Sequence, residues 1–418
     1  MKSWLLRKGM VFRGERLVRS DVLVVEGEVA AISPDLTVDT AGELGIEEID
    51  ASDCLILPGF IDLHVHLREP GFTDKETVAT GTEAAAAGGF TTVFAMPNTQ
   101  PPLDSEAEVA AFSALCRRDQ RISVLPIATA TRGRRGTEPV DAAGLRSAGV
   151  LFFSDDGDGV PDDAIERVMQ TIAAVDGIFI NHCEYPAVTN ARFHPQLPKE
   201  AEFKMLERDL AYVSTTGCRY HVPHVSCSES VELIRMAKER GLPVTAEVTP
   251  HHLLLTADDV RPPTGHFQMK PPLRTEADRQ ALLEGLRTGT IDTIATDHAP
   301  HGTEKECDDG STQPFGVTGL ETAFPALYTE LVLPGVLSLE TLICALTVGP
   351  AIVSGHNCSL VPGCVADLTV IDLIRTRSVC REAFYSRGTN SPFIGCVFRG
   401  WPILTLFQGK TAYRHCKE

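Results

Sequence analysis

The stretch FIDLHVHLRE, residues 60–69, places His64 and His66 two apart at the end of an apolar run. Side chains of an extended strand alternate between its two faces. Asp62, His64 and His66 therefore share one side, and Ile61, Leu63 and Val65 the other. Two imidazoles then converge on one point, and neutral imidazole is the commonest nitrogen ligand for zinc. An isolated HxH is as often a pair of surface or satisfied core histidines, so the remaining ligands have to come from elsewhere in the chain.

Candidates lie far apart. Asp155 and Asp156 close the run VLFFSDDG, His182 stands in GIFINHCE, His221 and His224 in RYHVPHVSC, and Asp297 in IDTIATDHAPH. Strand parity makes His221 and His224, three apart, face opposite sides, and it makes rivals of Asp155 and Asp156. His298 follows Asp297 and is expected to point into the surrounding layer; His251 and His252 are expected to pack or to hydrogen-bond. Four histidines and two aspartates can hold two divalent ions if one carboxylate bridges, and two-metal sites with centres about 3.5–4 Å apart suit hydrolysis. No lysine occurs between Lys75 and Lys199, so the bridge has to be an aspartate of the DDG turn and not a carboxylated lysine.

Eight apolar runs can position these groups as strands: 59–67, 90–98, 122–131, 150–157, 177–184, 219–227, 243–252 and 291–301. Helical segments such as 73–89, 200–217 and 228–241 intervene, each ending near a glycine that suits a helix C-terminus. Alternation of this kind predicts an α/β fold, a closed (β/α)8 or TIM barrel with its chemistry at the C-terminal strand ends, where the His and Asp candidates fall. Glycine-broken strands at the start (MVFRGERL, DVLVVEGEVAAI) are echoed at the end by ADLTVIDL, SPFIGCVFRG and WPILTLFQGKTAY. Neither terminus alone can bury a sheet face. Residues 1–55 and 357–418 are therefore expected to form one composite β-sandwich domain around a metal-dependent catalytic barrel at 56–356.

A chain of 418 residues suits a large barrel or two domains. With 38 basic and 56 acidic residues the formal charge is −18, which excludes an extended phosphate-binding surface and with it nucleic acid as a partner. No run reaches the roughly 20 apolar residues of a spanning helix, so no membrane role is expected. Twelve cysteines without a CxxC pair, and an N-terminus too short in apolar length for a secretory signal, point to the reducing cytoplasm.

The segments around these residues resemble the class I bacterial dihydroorotases of the amidohydrolase superfamily. They are HVHLREPG (64–71), TGTEAAAAGGFTTVFAMPNT (80–99), FSDDG (153–157), NHCE (181–184), VTAEVTPHHLLLT (244–256), IATDHAPH (294–301) and PFGVTGLETAFP (314–325). The resemblance implies reversible hydrolysis of the cyclic amide of dihydroorotate to N-carbamoylaspartate in pyrimidine synthesis, with one or two Zn2+ per subunit. It implies that His64, His66 and Asp297 hold one zinc, that His182 and His224 hold the other, and that Asp156, the aspartate just before the glycine, bridges. Asp297 would shuttle the proton between water and the ring nitrogen. Arg68, Asn98 and His301 would grip the substrate carboxylate, and His66, Phe315 and Gly316 would also touch substrate.

Two departures accompany the likeness. The family's MNPPLR reads MKPPLR, putting Lys270 at a substrate-contacting position as either a charge contact or a side chain turned away, and the connection between His182 and His224 is short enough to imply a rebuilt segment. Residues 302–314 could serve as a lid. Competing readings are an allantoinase or dihydropyrimidinase, relatives that typically use a carboxylated lysine, and a non-catalytic scaffold beside aspartate transcarbamoylase, which would be expected to have lost ligands. A homodimer is expected, with association with a transcarbamoylase left open.

Overall fold

Five strands open the chain: β1 (Ser3–Arg13), β2 (Arg16–Val25), β3 (Glu28–Ser33), β4 (Ile46–Asp50) and β5 (Cys54–Pro58). The computed structural model describes residues 2–14, 16–38, 45–185, 197–302 and 314–415. Glu26 and Gly27, with φ of 52° and 92°, make the two-residue turn between β2 and β3, a geometry whose twist matches that of the strands it joins.

Eight short strands follow: β6 (Phe60–Val65), β7 (Phe90–Ala95), β8 (Ser123–Pro126), β9 (Phe152–Ser154), β10 (Ile178–Ile180), β11 (Arg219–Val222), β12 (Val244–Val248) and β13 (Thr293–Ile294). They pair in parallel as β6-β7-β8 and β9-β10-β11-β12-β13. The bridges Ala128↔Phe153 and Val65↔His298, both parallel, join the two runs into a ring. Every barrel strand expected from the sequence is present, but each is shorter than its apolar run, because the polar residues at the end of the run leave the ladder and turn over the barrel mouth.

The helices between them start from local signals. Thr77 caps Val78–Ala87 through a reciprocal pair with Thr80, Lys199–Thr216 ends on Gly217 at φ 67°, and Ser228–Glu239 follows β11. The first of these begins five residues later than the run 73–89 suggests, since the residues before Thr77 carry Glu76 into the interior.

The last strands, β14 (Leu368–Ser378), β15 (Val397–Phe407) and β16 (Lys410–Arg414), join the first five in one eight-stranded sheet of order β16-β15-β14-β5-β1-β2-β3, with β4 beside β1. Both termini thus supply one sheet. On β5, Cys54 and Ile56 enter its own core with Trp4, Leu6 and Val370, while Leu55 and Leu57 pack on the barrel core with Phe60 and Phe90. This is the period-two alternation of a strand buried on both faces. The stretch SPFI, read above as strand, is a turn ahead of β15. It follows Asn390, which is buried against the barrel mouth.

A buried polar network ties this C-terminal segment to the barrel. Glu321 accepts hydrogen bonds from the Tyr385 and Ser386 amides, the Ser386 hydroxyl donates to Glu76, and Glu76 Oε2 lies 3.3 Å from His298 Nε2. Burial pushes the Glu321 carboxyl up to about 8 against the opposing pull of the Ser386 and Tyr385 amides. Its folded value exceeds the unfolded one, so the folded state holds the extra proton between roughly pH 4.5 and 8 and stability falls as pH rises through that window. Thermal unfolding followed from pH 5 to 8 should show the wild-type Tm dropping more steeply than that of Glu321→Gln; parallel curves would mean that Glu321 is ionised in the fold.

Candidate active site

The sequence-predicted groups gather at the C-terminal mouth of the barrel. His64 lies on β6 and His66 just beyond it; Asp156 follows β9, His182 follows β10, His224 follows β11 and Asp297 follows β13. Three residues of this rim have left-handed backbone: Arg68 (φ 59°), His224 (φ 32°) and Asp297 (φ 47°). Side-chain-bearing residues adopt that region seldom, and such outliers concentrate where the surrounding structure overrules local preference.

Asp156 sits at the centre. Its Oδ1 is 3.5 Å from His64 Nε2, 3.5 Å from His182 Nδ1 and 3.9 Å from His224 Nε2, while its Oδ2 is 3.5 Å from His66 Nε2. Asp297 Oδ1 lies 3.4 Å from His64 Nε2 and 3.1 Å from His66 Nε2. His182 Nδ1 and His224 Nε2 are 3.1 Å apart. Asp155 turns away: its carboxylate accepts from the Ala130 and Thr131 amides at 2.9 and 3.1 Å and from the Thr131 hydroxyl.

The outward nitrogens of three of the rings face oxygen. His64 Nδ1 is 2.7 Å from Glu247 Oε1, His66 Nδ1 is 2.9 Å from Asn98 Oδ1, and His182 Nε2 is 3.5 Å from Glu184 Oε2. These oxygens can only accept. On His64, whose outward contact is much the shorter, the ring proton therefore belongs on Nδ1 and the Nε2 lone pair points at the shared centre; His66 and His182 also have carboxylate oxygen at their inward nitrogens, at 3.1 and 3.5 Å. His64 Nε2 is buried there with no hydrogen-bond partner among the described residues. An inward lone pair facing two carboxylates is the donor set of a divalent cation. His64, His66 and Asp297 form one group and His64, Asp156 and His224 another, the donor atoms of each within 4.8 Å of one another.

Electrostatics carry the same message. Burial opposes charge on His64, but Asp297, Glu247 and Asp156 hold its pKa well above the imidazole range. Burial likewise opposes ionisation of Asp156 and Asp297, yet the neighbouring imidazoles hold both below the usual carboxylate range. The site therefore attracts positive charge, whether a proton or a metal ion, in a place that water does not reach freely.

Residues 53–230 match the family described as Dihydro-orotase-like. Over essentially the whole chain the sequence is 44% identical to the dihydroorotase of Geobacillus sp. (strain WCH70), with 99% of each chain covered. It is 43% identical to the dihydroorotase of Bacillus caldolyticus, with 98% of each covered. The chain belongs to the dihydroorotase family. Among solved structures it is similar to the L-hydantoinase (dihydropyrimidinase) of Arthrobacter aurescens, at TM-score 0.88 and 27% identity over 99% of this chain and 96% of that one. The dihydropyrimidinase of Brevibacillus agri NCHU1002, at TM-score 0.86 and 23% identity over 99% and 95%, shares the fold.

Beside the dihydroorotase-like cluster the structure assembles most of the expected substrate-side residues. Arg68 Nη2 lies 3.2 Å from His301 Nε2, and Arg68 Nε donates to the Pro300 carbonyl at 3.3 Å. His301 Nε2 is 2.7 Å from the Phe315 carbonyl. Gly316, at φ 121°, has no room for a side chain: a Cβ there would stand 2.3 Å from that of Ala299. Asn98 reaches the site through His66, whereas Lys270 Nζ is bound to Glu184 Oε2 at 2.9 Å and lies 4.9 Å from the centre of the Phe315 ring. Residues 303–313 of the expected lid, and 186–196 of the connection expected to be rebuilt, lie outside the described residues.

One expectation fails. His221 and His224 do not divide between two sides, because β11 stops at Val222 and alternation ends before His224 is reached. His221 Nε2 is 3.1 Å from Glu247 Oε2, so both histidines serve the mouth, one of them through Glu247. The other secondary histidines behave as read. His298 pairs with Glu76, His252 bonds Thr249 and the Pro271 carbonyl, and His251 packs on His252 with ring centres 4.6 Å apart.

Three residues that sequence reasoning passed over hold the site in place: Glu247, Glu184 and Asn390. Asn390 accepts from the His301 amide at 2.9 Å and donates to the Ala299 and Gly316 carbonyls at 3.2 and 3.0 Å. Glu247 had one visible signal, a lone carboxylate inside the apolar strand VTAEV. Burial opposes its charge, but His64 and His221 bring it down to about 2. Glu247→Gln should weaken divalent-metal binding by about 10- to 100-fold, measured by competition with a chromophoric chelator; an unchanged affinity would show that His64 needs no such support.

Proposed function

We propose that this chain catalyses the reversible hydrolysis of dihydroorotate to N-carbamoylaspartate, a step of pyrimidine synthesis. The observation that carries the reading is the convergence of His64, His66, Asp156, His182, His224 and Asp297 on one buried point. It occurs in a chain whose full-length relatives are dihydroorotases. In this reading His64, His66 and Asp297 would hold one Zn2+ and His182 and His224 a second, with the Asp156 carboxylate serving both. Bound there, the metal would supply Lewis acidity, lowering the pKa of a water toward about 7 and polarising the ring carbonyl.

The protein's own groups do the rest. Asp297 is kept ionised and can take a proton from the attacking water and deliver it to the departing ring nitrogen; ring closure runs the same transfer backwards. The guanidinium of Arg68, beside His301, offers a fork for the substrate carboxylate. With its oxygen committed to His66, the Asn98 amide offers its nitrogen to the same anion. Gly316, packed against Ala299, and Phe315 would offer their backbone to the substrate.

A second reading, hydantoinase-type ring hydrolysis, draws on the fold likeness at TM-score 0.88. The cationic Arg68–His301 corner and an aspartate rather than a lysine after β9 favour a substrate bearing a carboxylate and a carboxylate-bridged centre. The terminal sheet, which has a core of its own, would form a small β-sandwich domain bounded near residues 55 and 357. The same account takes the chain to be a cytoplasmic homodimer able to meet an aspartate transcarbamoylase. Among the described residues no helix is long and apolar enough to cross a membrane.

Turnover measured with dihydroorotate and N-carbamoylaspartate beside allantoin and dihydrouracil should be confined to the first pair and lost on chelation. Asp297→Asn should lower kcat in both directions by about 10²–10⁴-fold, and preference for dihydrouracil would reject the substrate. Arg68→Met should raise KM for dihydroorotate by about 10- to 100-fold, the loss of one charged hydrogen-bonding group; steady-state kinetics with an unaltered KM would remove Arg68 from the carboxylate site.

A further inference from the structure

Lys270 stands where the sequence likeness places a substrate contact, yet its ammonium is occupied elsewhere. Nζ is 2.9 Å from Glu184 Oε2, and that same oxygen is 3.5 Å from His182 Nε2. His182 in turn presents Nδ1 to Asp156 Oδ1 at 3.5 Å and to His224 Nε2 at 3.1 Å. We propose that Lys270 is a positioning residue of the second metal position: it anchors Glu184, which sets the tautomer and tilt of His182.

The order of contacts supports this. Glu184 comes two residues after His182, beyond the end of β10, so the ladder does not fix its side chain. Its carboxylate is largely buried, with 18% of the side chain exposed, and there it requires a cation. Lys270 supplies one from a different element. It follows the segment Thr264–Phe267, and its neighbour Met269 is buried with Phe267, Leu273 and Val317. The Gln268 carbonyl accepts from the Gly316 amide at 3.0 Å, which fixes that segment against the 315–316 backbone. The ammonium also lies over the Phe315 ring at 4.9 Å, so one side chain joins a metal-facing histidine to the substrate-side backbone. An uncharged residue at 270 would leave Glu184 to swing toward solvent. His182 would then lose the carboxylate that faces its Nε2 at 3.5 Å, and with it the electrostatic bias toward a proton on Nε2 and a lone pair on the inward Nδ1.

The inference rests on the metal-site reading but not on the choice of substrate, and its test keeps the two apart. Apo-protein of the wild type, Glu184→Gln, Lys270→Met and Lys270→Arg is titrated with Zn2+ by calorimetry, and with Co2+ by its visible absorption. The expected result is two equivalents in the wild type. The second should be weakened about 10- to 100-fold in Lys270→Met and Glu184→Gln and largely restored in Lys270→Arg, while the first equivalent is unmoved. Steady-state kinetics on Zn2+-saturated protein should show KM for dihydroorotate within about threefold of wild type in Lys270→Met. Wild-type metal affinity in Lys270→Met with KM raised tenfold or more would make Lys270 a substrate contact and overturn the proposal. A wild-type chain that takes up a single equivalent would overturn it too. Absent turnover of dihydroorotate by a wild type that binds both ions would reject the substrate while the metal titrations still decide the role of Lys270.

Discussion

A buried point at which two carboxylates and several imidazole lone pairs face one another is unstable unless a cation shares it. His64 makes the constraint concrete. Its outer nitrogen is committed to Glu247, and its inner nitrogen lies 3.4–3.5 Å from oxygens of Asp297 and Asp156 without a hydrogen bond. Taken out of water, such groups repel unless a proton or metal stands between them. A protonated ring would answer the charge but would forfeit the lone pair. A divalent ion answers both demands, and the rest of the fold can be read as the means of holding these side chains in that arrangement.

The barrel supplies the frame because parallel strands end together at one rim. Residues that are far apart in sequence, 64 and 297 for instance, become neighbours when β6 and β13 are joined through the Val65↔His298 bridge. Inside that ring Asp62 accepts from the Thr296 amide and hydroxyl, fixing the two strand ends that carry His64 and Asp297. The terminal sheet contributes from outside. The chain segment leading from β14 into β15 sends Asn390 to the backbone of His301 and Gly316, and sends Ser386 to Glu76 beneath His298. The C-terminal segment therefore serves the mouth by pinning its loops, while the N-terminal strands complete the sheet.

Much of this was legible in the sequence. The eight apolar runs located the strands, and each His or Asp that proved central stood at the end of a run, where a buried polar group needs a reason. What stayed hidden depends on contacts made across the barrel. Glu184 sits beside His182 in NHCE, but nothing local says that Lys270, 86 residues later, will meet it. Asn390 stands just before the stretch SPFIGCVFRG, and nothing local says that it will meet the backbone of His301. The opposition of His221 to His224 failed for a local reason: parity holds only while a residue remains in the ladder, and His224 does not. The choice between Asp155 and Asp156 likewise could not come from alternation. It is made by the Ala130 and Thr131 amides, which capture Asp155.

Anomalous scattering at the zinc edge, from crystals grown with Zn2+, tests the shared-cation account most directly. The account predicts two peaks about 3.5–4 Å apart on either side of the Asp156 carboxylate, one among His64, His66 and Asp297 and the other against His182 and His224. Peaks elsewhere, or none among these side chains at saturating zinc, would contradict it.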